Sequence, residues 1–292
     1  VDSPQPHKAW CGCGLELRVV IVVTGTMRSG TSMWMQVLHE AGLPVIGEAF
    51  PRPWGEALRS ANPRGFYECQ LTAGIYHATN PHPQTGAYLF PEATRRHVVK
   101  VFVPGLVRSD VAFLDAVVAT VRHWRAVAAS IEQMRTLAGP GSPGHVPVDI
   151  PAPLLWWAET FALVRDIATR RYAAHVVTYE RVVADPGQEV RVVLDWLGLP
   201  QVEAQRAVDP ALCRSRQAEV DTTGLRASHL EVFDELHAKL DEGAPLAPAF
   251  VQRLNQVDAE LRPWLQAIRE RVRQDLLARC AGPHDEGGAH VR

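Results

Sequence analysis

Lysine is almost absent from this 292-residue chain: it stands only at Lys8, Lys100 and Lys239, and the remaining positive charge is arginine. Neither sign of charge is in excess, the formal net being −2 at pH 7, so the basic surface of a general nucleic-acid or membrane-surface binder is excluded. Any anion site has to be built locally. The five cysteines are odd in number and scattered apart from Cys11 and Cys13, and no Cys/His set has zinc spacing, which leaves reduced thiols as the expectation and no metal site. Long apolar runs are missing too. Leu17 to Thr24 falls far short of the ~20 residues that cross a bilayer, and the first sixteen residues contain no signal-peptide core. The expectation is a cytoplasmic protein without a membrane span. There is no internal repeat, and with 47% hydrophobic residues the chain can bury a full core. One domain is expected over residues 17–280, after a flexible leader at 1–16 and before a disordered tail at 281–292.

What is present is an alternation of strand and helix. Leu17 to Thr24 is nearly continuous, apolar and β-branched, as in a strand buried on both faces of a parallel sheet. A helical period follows from Thr31 to Ala41, stopped by Gly42. Further strands are expected at Val98 to Val103, Val117 to Val121 and His175 to Tyr179. Helices are expected at Arg125 to Leu137, Leu154 to Arg171, Gly187 to Leu197, His229 to Asp241 and Phe250 to Ala278. The fold class is therefore α/β, a three-layer P-loop NTPase-like fold with a central parallel sheet flanked by helices and a helical C-terminal third. Two long irregular stretches interrupt it, Gly47 to Arg96 and Gly139 to Pro153, of a length that suits lids or links.

The first strand runs into "TGTMRSGTSMW", Thr24 to Trp34, with Gly25 and Gly30 in a G-x-x-x-x-G frame and Thr31 and Ser32 behind them. A glycine-rich turn that opens a helix gathers backbone N–H groups and the positive helix end around one point, which favours a phosphate. A triphosphate-using enzyme would carry lysine where Thr31 stands, with an aspartate at a strand end for magnesium, and neither is evident. The cation sits inside the loop instead. Arg28 can reach phosphate oxygens with a planar fork of donors.

"MRSGTS", Met27 to Ser32, resembles the 5′-phosphosulfate-binding loop of PAPS-dependent sulfotransferases, in which Lys or Arg precedes Ser-Gly-Thr. "TVRHWRAVAAS" is similar to that family's 3′-phosphate motif, an arginine at a strand end and a serine eight residues on, here Arg122 and Ser130. "VVTYERVVADPGQEVRVVLDWLGLP" resembles a further family run, and "NPRGFYE", Asn62 to Glu68, a segment of bacterial members. The resemblance spans roughly Val19 to Pro200. It implies PAPS as cofactor and its product PAP as leaving nucleotide, with Met27, Arg28, Ser29, Gly30, Thr31 and Ser32 around the 5′ end. Arg122 and Ser130 would meet the 3′-phosphate, and Tyr179 would lie near the adenine.

Two departures from the family pattern stand out. Small-molecule members carry a histidine base in Lys-x-His-x-Pro, whereas "KVFVP", Lys100 to Pro104, has Phe102 in its place. Trp34 lies one residue beyond the family's tryptophan, leaving Met33 there. Other members use a glutamate soon after the first helix, so Glu48 in "VIGEAF" and Glu68 in "NPRGFYE" are both candidate bases; His77, His82 and His97 are further candidates in the same variable region. With Arg28 as the catalytic cation, the expected reaction is metal-free, in-line transfer of a sulfuryl group to a hydroxyl or amine of a small-molecule, lipid or carbohydrate acceptor. The acceptor region includes Trp54, Phe66, Tyr67, Tyr76 and Tyr88. A P-loop kinase and a non-catalytic nucleotide-binding relative stay open beside this reading, and the oligomeric state is not legible.

Overall fold

The computed structural model of the protein describes residues 20–51, 59, 62–138, 150–212 and 220–280. The expected leader and tail, Cys11, Cys13, Trp54 and nearly all of the Gly139 to Pro153 stretch lie outside the described residues.

The first strand, β1 (Ile21–Gly25), is buried along its whole length, which is why its sequence shows no polar alternation. It feeds helix α1 (Thr31–Glu40), and a two-residue strand β2 (Val45–Ile46) follows. The chain then runs through the irregular region to a short helix α2 (Pro91–Thr94) and strand β3 (Val98–Lys100). Strand β3 is shorter than its apolar run, which continues to Val103. Pro104 has no N–H for a strand ladder but suits a first helical turn, and helix α3 (Val103–Leu106) starts there.

Strand β4 (Ala116–Val121) precedes helices α4 (Trp124–Ala138) and α5 (Ala152–Arg170). Strand β5 (Ala173–Thr178) leads directly into α6 (Tyr179–Ala184), and Asp185 caps α7 (Pro186–Trp196) by accepting from Gln188 N–H. The remaining helices are α8 (Ala227–Asp241) and α9 (Pro248–Cys280). Each helix expected from periodicity is present within a few residues of its expected ends. The two-residue β2 carries too little pattern to be read from sequence.

The sheet is parallel throughout, in the order β2-β3-β1-β4-β5. Successive side chains of a strand point to opposite faces, and the core divides accordingly. Val20, Val22, Val99, Val117 and Ala119 share one cluster with Trp124, Trp156, Trp157 and Phe233 from α4, α5 and α8. Ile21, Val23, Val98, Ala116 and Val118 face the other way, onto Trp34 and Leu38 of α1 and Val193 and Leu194 of α7. This is the expected three-layer α/β arrangement. The chain leaves β1 for neighbours on either side, β3 and β4, so the crevice at the carboxyl ends of these strands is where such a sheet offers a ligand site. Among the described residues no helix is long and apolar enough to cross a membrane.

Candidate functional site

The loop after β1 lies in that crevice. Gly25 sits so close to β4 that a Cβ there would meet the Thr120 carbonyl oxygen at 2.4 Å. The turn is closed from within: Ser29 N–H and its hydroxyl both donate to the Thr26 carbonyl, at 3.2 and 2.7 Å, while Thr120 Oγ1 donates to the Ser29 carbonyl at 2.9 Å. Ser29 is thus buried and shapes the loop. Gly30, at φ 106°, starts α1, and a Cβ on it would meet the Tyr179 ring at 2.7 Å. Only glycine allows both the backbone and that approach. No side chain caps this helix, so the amides of its first turn, around Thr31 and Ser32, point toward the crevice.

Arg28 adopts φ 67°, a region that non-glycine residues seldom enter. Its side chain is fixed from another layer: Nε donates to Ser130 Oγ of α4 at 2.9 Å. Arg122, at the end of β4, is buried; its Nη1 donates to the Arg28 carbonyl at 3.3 Å and its guanidinium lies 4.4 Å from the centroid of the Tyr179 ring. Trp156 Nε1 holds the Arg122 carbonyl at 2.8 Å. Four residues from four elements therefore converge: Arg28, Arg122, Ser130 and Tyr179. Burial, and then the neighbouring Arg122, lower the pKa of Arg28 to about 10, against the raising influence of Tyr179 and Glu68. Two guanidiniums brought together favour an anionic ligand such as a phosphate group.

Next to the loop stands Lys100, the last residue of β3, with its side chain 2% exposed. Its ammonium donates to Glu68 Oε1 at 2.7 Å, to the Phe66 carbonyl at 2.9 Å and to Ser32 Oγ at 3.2 Å, and lies 5.1 Å from the centroid of the Phe102 ring. Desolvation lowers the pKa of Lys100, and Glu68 opposes that. Sequence reasoning missed this residue as part of the site. The available signal was its place at the end of a strand neighbouring β1, in a chain with three lysines.

The two candidate glutamates are backbone partners. Glu48 and Glu68 form an isolated antiparallel bridge, each N–H donating to the other's carbonyl at 3.1 Å. Only Glu68 is joined through Lys100 to Ser32 of the loop, while Glu48 is exposed. Trp34 is fully buried in the core between α1 and the sheet, which removes it from any stacking role. His77, His82 and His97 make local contacts: a ring contact with Tyr76, backbone bonds from Gln84 and Thr85, and one to the Arg95 carbonyl. Behind Arg122 a second polar group forms, in which Glu180 accepts from His123 N–H at 3.0 Å and pairs with His237 Nε2 at 3.1 Å. Asp234 binds Trp124, Arg125 and His123. It fastens α8 to the segments that carry Arg122 and Tyr179.

No family model matches the chain, and no curated protein does. Solved structures do. A sulfotransferase from Mycobacterium tuberculosis is 18% identical over 78% of this chain and 77% of its own, with a TM-score of 0.41. The sulfotransferase domain of the Synechococcus PCC 7002 olefin synthase is 15% identical over 79% and 98%, at 0.38, and that of the curacin biosynthetic pathway 16% identical over 84% and 98%, at 0.35. The solved structures that this chain is similar to are sulfotransferases.

Proposed function

We propose that the chain is a PAPS-dependent sulfotransferase acting on a hydroxyl or amine of a small-molecule, lipid or carbohydrate acceptor. One observation carries this: Arg28 replaces the missing P-loop lysine and converges with Arg122, Ser130 and Tyr179 in the crevice beside β1. A nucleotide phosphorylated at both 5′ and 3′ offers an anionic group to each of the two arginines, beside the bond that Arg122 makes to the Arg28 carbonyl.

Arg28 and the first amides of α1 suit the 5′ end, and Gly25 and Gly30 let the loop pack against Thr120 and the Tyr179 ring, where a side chain would collide. Arg122 and Ser130 suit the 3′-phosphate; Ser130 Oγ accepts from Arg28 and so keeps its own proton to donate. Tyr179, stacked on Arg122, suits the adenine side. When bound, PAPS supplies the activated sulfuryl group. Glu68 takes the proton of the acceptor hydroxyl or amine as general base, and Lys100, whose donors go to Glu68, the Phe66 carbonyl and Ser32, holds that carboxylate beside the start of α1. Arg28 stabilises the negative charge that develops toward the nucleotide.

Titration calorimetry with adenosine 3′,5′-bisphosphate, adenosine 5′-monophosphate and Mg-ATP tests the assignment. Micromolar binding that requires the 3′-phosphate and no metal is expected. A preference for Mg-ATP replaces the reading with that of a kinase.

A further inference from the structure

Helix α5, which packs in the same core cluster as Met27 of the loop, carries a carboxyl group that the proposed reaction does not use. Glu159 is 9% exposed, and its carboxyl group lies close enough to the backbone N–H of Met27, the residue before Arg28, for that amide to bear on its charge. Its second oxygen, Oε2, is buried with no hydrogen-bond partner. A carboxylate with one bare oxygen in the core is costly, and it competes for a loop amide whose dipole would otherwise favour a bound phosphate.

The surroundings do little to hold its charge. Helix α5 packs on α4, α3, α9 and β1, and on α8 through Phe233, where Asp234 is engaged by Arg125 and His123 and His237 by Glu180. The α9 residue Arg269 reaches Glu159 electrostatically but is itself exposed. Strand β1 and α3 contain no charged residue, and the charged residues of α4 whose side chains are described, Arg125 and Glu132, are exposed. Arg28, one residue beyond Met27, turns its guanidinium to Ser130. Desolvation accordingly raises the Glu159 pKa to about 7, with the Met27 amide and Arg269 only partly opposing it.

We propose that binding of the anionic nucleotide drives a proton from solvent onto Glu159, so that the loop carries the nucleotide beside a neutral carboxylic acid. This rests on the nucleotide site assigned above. Phosphates arriving at the loop add like charge, which disfavours the carboxylate further; the protonated group gains an O–H and no longer opposes them. The group is balanced to respond near neutral pH, and nucleotide affinity falls as pH rises above that point.

The test is titration calorimetry of adenosine 3′,5′-bisphosphate in buffers of different ionisation enthalpy, on the full chain and on Glu159→Gln. At pH values of about 8, where phosphates (second pKa ~6) are already dianionic, uptake of up to about one proton per nucleotide is expected for the native protein, fading as pH approaches ~6. Glu159→Gln should bind with no such uptake and with an affinity that no longer falls across this range. Lys100 and His123, whose pKa values are also lowered by burial near the site, are the competing proton acceptors. Uptake that persists in Glu159→Gln, or native binding with no uptake, overturns the proposal and leaves the nucleotide assignment standing; no binding of the nucleotide by the native protein overturns both. The infrared difference spectrum of the native protein gives the same answer without a variant, because nucleotide must convert a carboxylate band into a carboxylic-acid band. An unchanged carboxyl region overturns the proposal.

Discussion

Arg28 and Ser130 lie 102 residues apart in the chain and meet at 2.9 Å, tying the loop after β1 to α4. The contact joins the two motifs that resemble 5′- and 3′-phosphate sites, so each positions the other. Replacing Ser130 with alanine removes the acceptor for Arg28 Nε and the donor proposed for the nucleotide. Loss of about 1–3 kcal/mol of nucleotide affinity is expected, roughly five- to 150-fold, read by calorimetry with adenosine 3′,5′-bisphosphate. Arg28→Ala should lower turnover by orders of magnitude with the melting transition retained. Near-native turnover in that variant removes Arg28 from the mechanism.

If Arg122 meets the 3′-phosphate as proposed, it separates the proposed cofactor from other nucleotides. In Arg122→Ala, affinity for adenosine 3′,5′-bisphosphate should drop toward that for adenosine 5′-monophosphate, while the monophosphate itself binds almost as before. Equal losses for both nucleotides would assign Arg122 to the loop backbone, through its 3.3 Å bond to the Arg28 carbonyl, and not to the 3′-phosphate.

Glu68 and Glu48 are bridge partners with different surroundings, which lets substitution distinguish them. Glu68→Gln keeps an acceptor for Lys100 but cannot take a proton, so kcat should fall by about 10²–10⁴ once an acceptor is in hand. Glu48→Gln, at an exposed position, should change kcat little. The reverse ranking transfers the base to Glu48. Melting temperatures of both variants show whether Lys100, left beside a neutral amide, weakens the fold.

Much of this was legible in the sequence because the deciding features are local. The run through β1, the glycines at 25 and 30 and the arginine between them follow from one short stretch, and helix periodicity located the layers. Arg122 and Ser130 were legible as a spaced pair, but their meeting with Arg28 and Tyr179 depends on the strand order, which brings β4 beside β1. Lys100 was not legible as a site residue, since its role comes from β3 lying on the other flank of β1 and from an irregular segment folding Glu68 onto it. Glu159 was equally silent. A glutamate within an apolar helix has no periodic signature of what lies beside it, and only the packing of α5 near the loop reveals it.

Glu159 also sets a pH dependence of the fold itself. Its folded pKa, about 7, stands above the ordinary 4.5, so the folded chain binds this proton more tightly than the unfolded chain does. The group's stabilising contribution is therefore full below about pH 4.5 and is lost as pH rises through about 7, beyond which the folded state holds an ionised, half-satisfied carboxylate. The separation between the two values corresponds to on the order of 3 kcal/mol. Glu159→Gln carries no such charge, so it should gain on the native protein as pH increases, with the difference growing between about pH 5 and 7 and then levelling off. Urea denaturation of both proteins at pH 5, 6, 7 and 8 (values about these) reads it directly, since the midpoint gap multiplied by the slope is the difference in stability. A gap that stays constant over this range would mean that the carboxyl group remains ionised in the folded core, and the Met27 amide and Arg269 would then have to hold its charge.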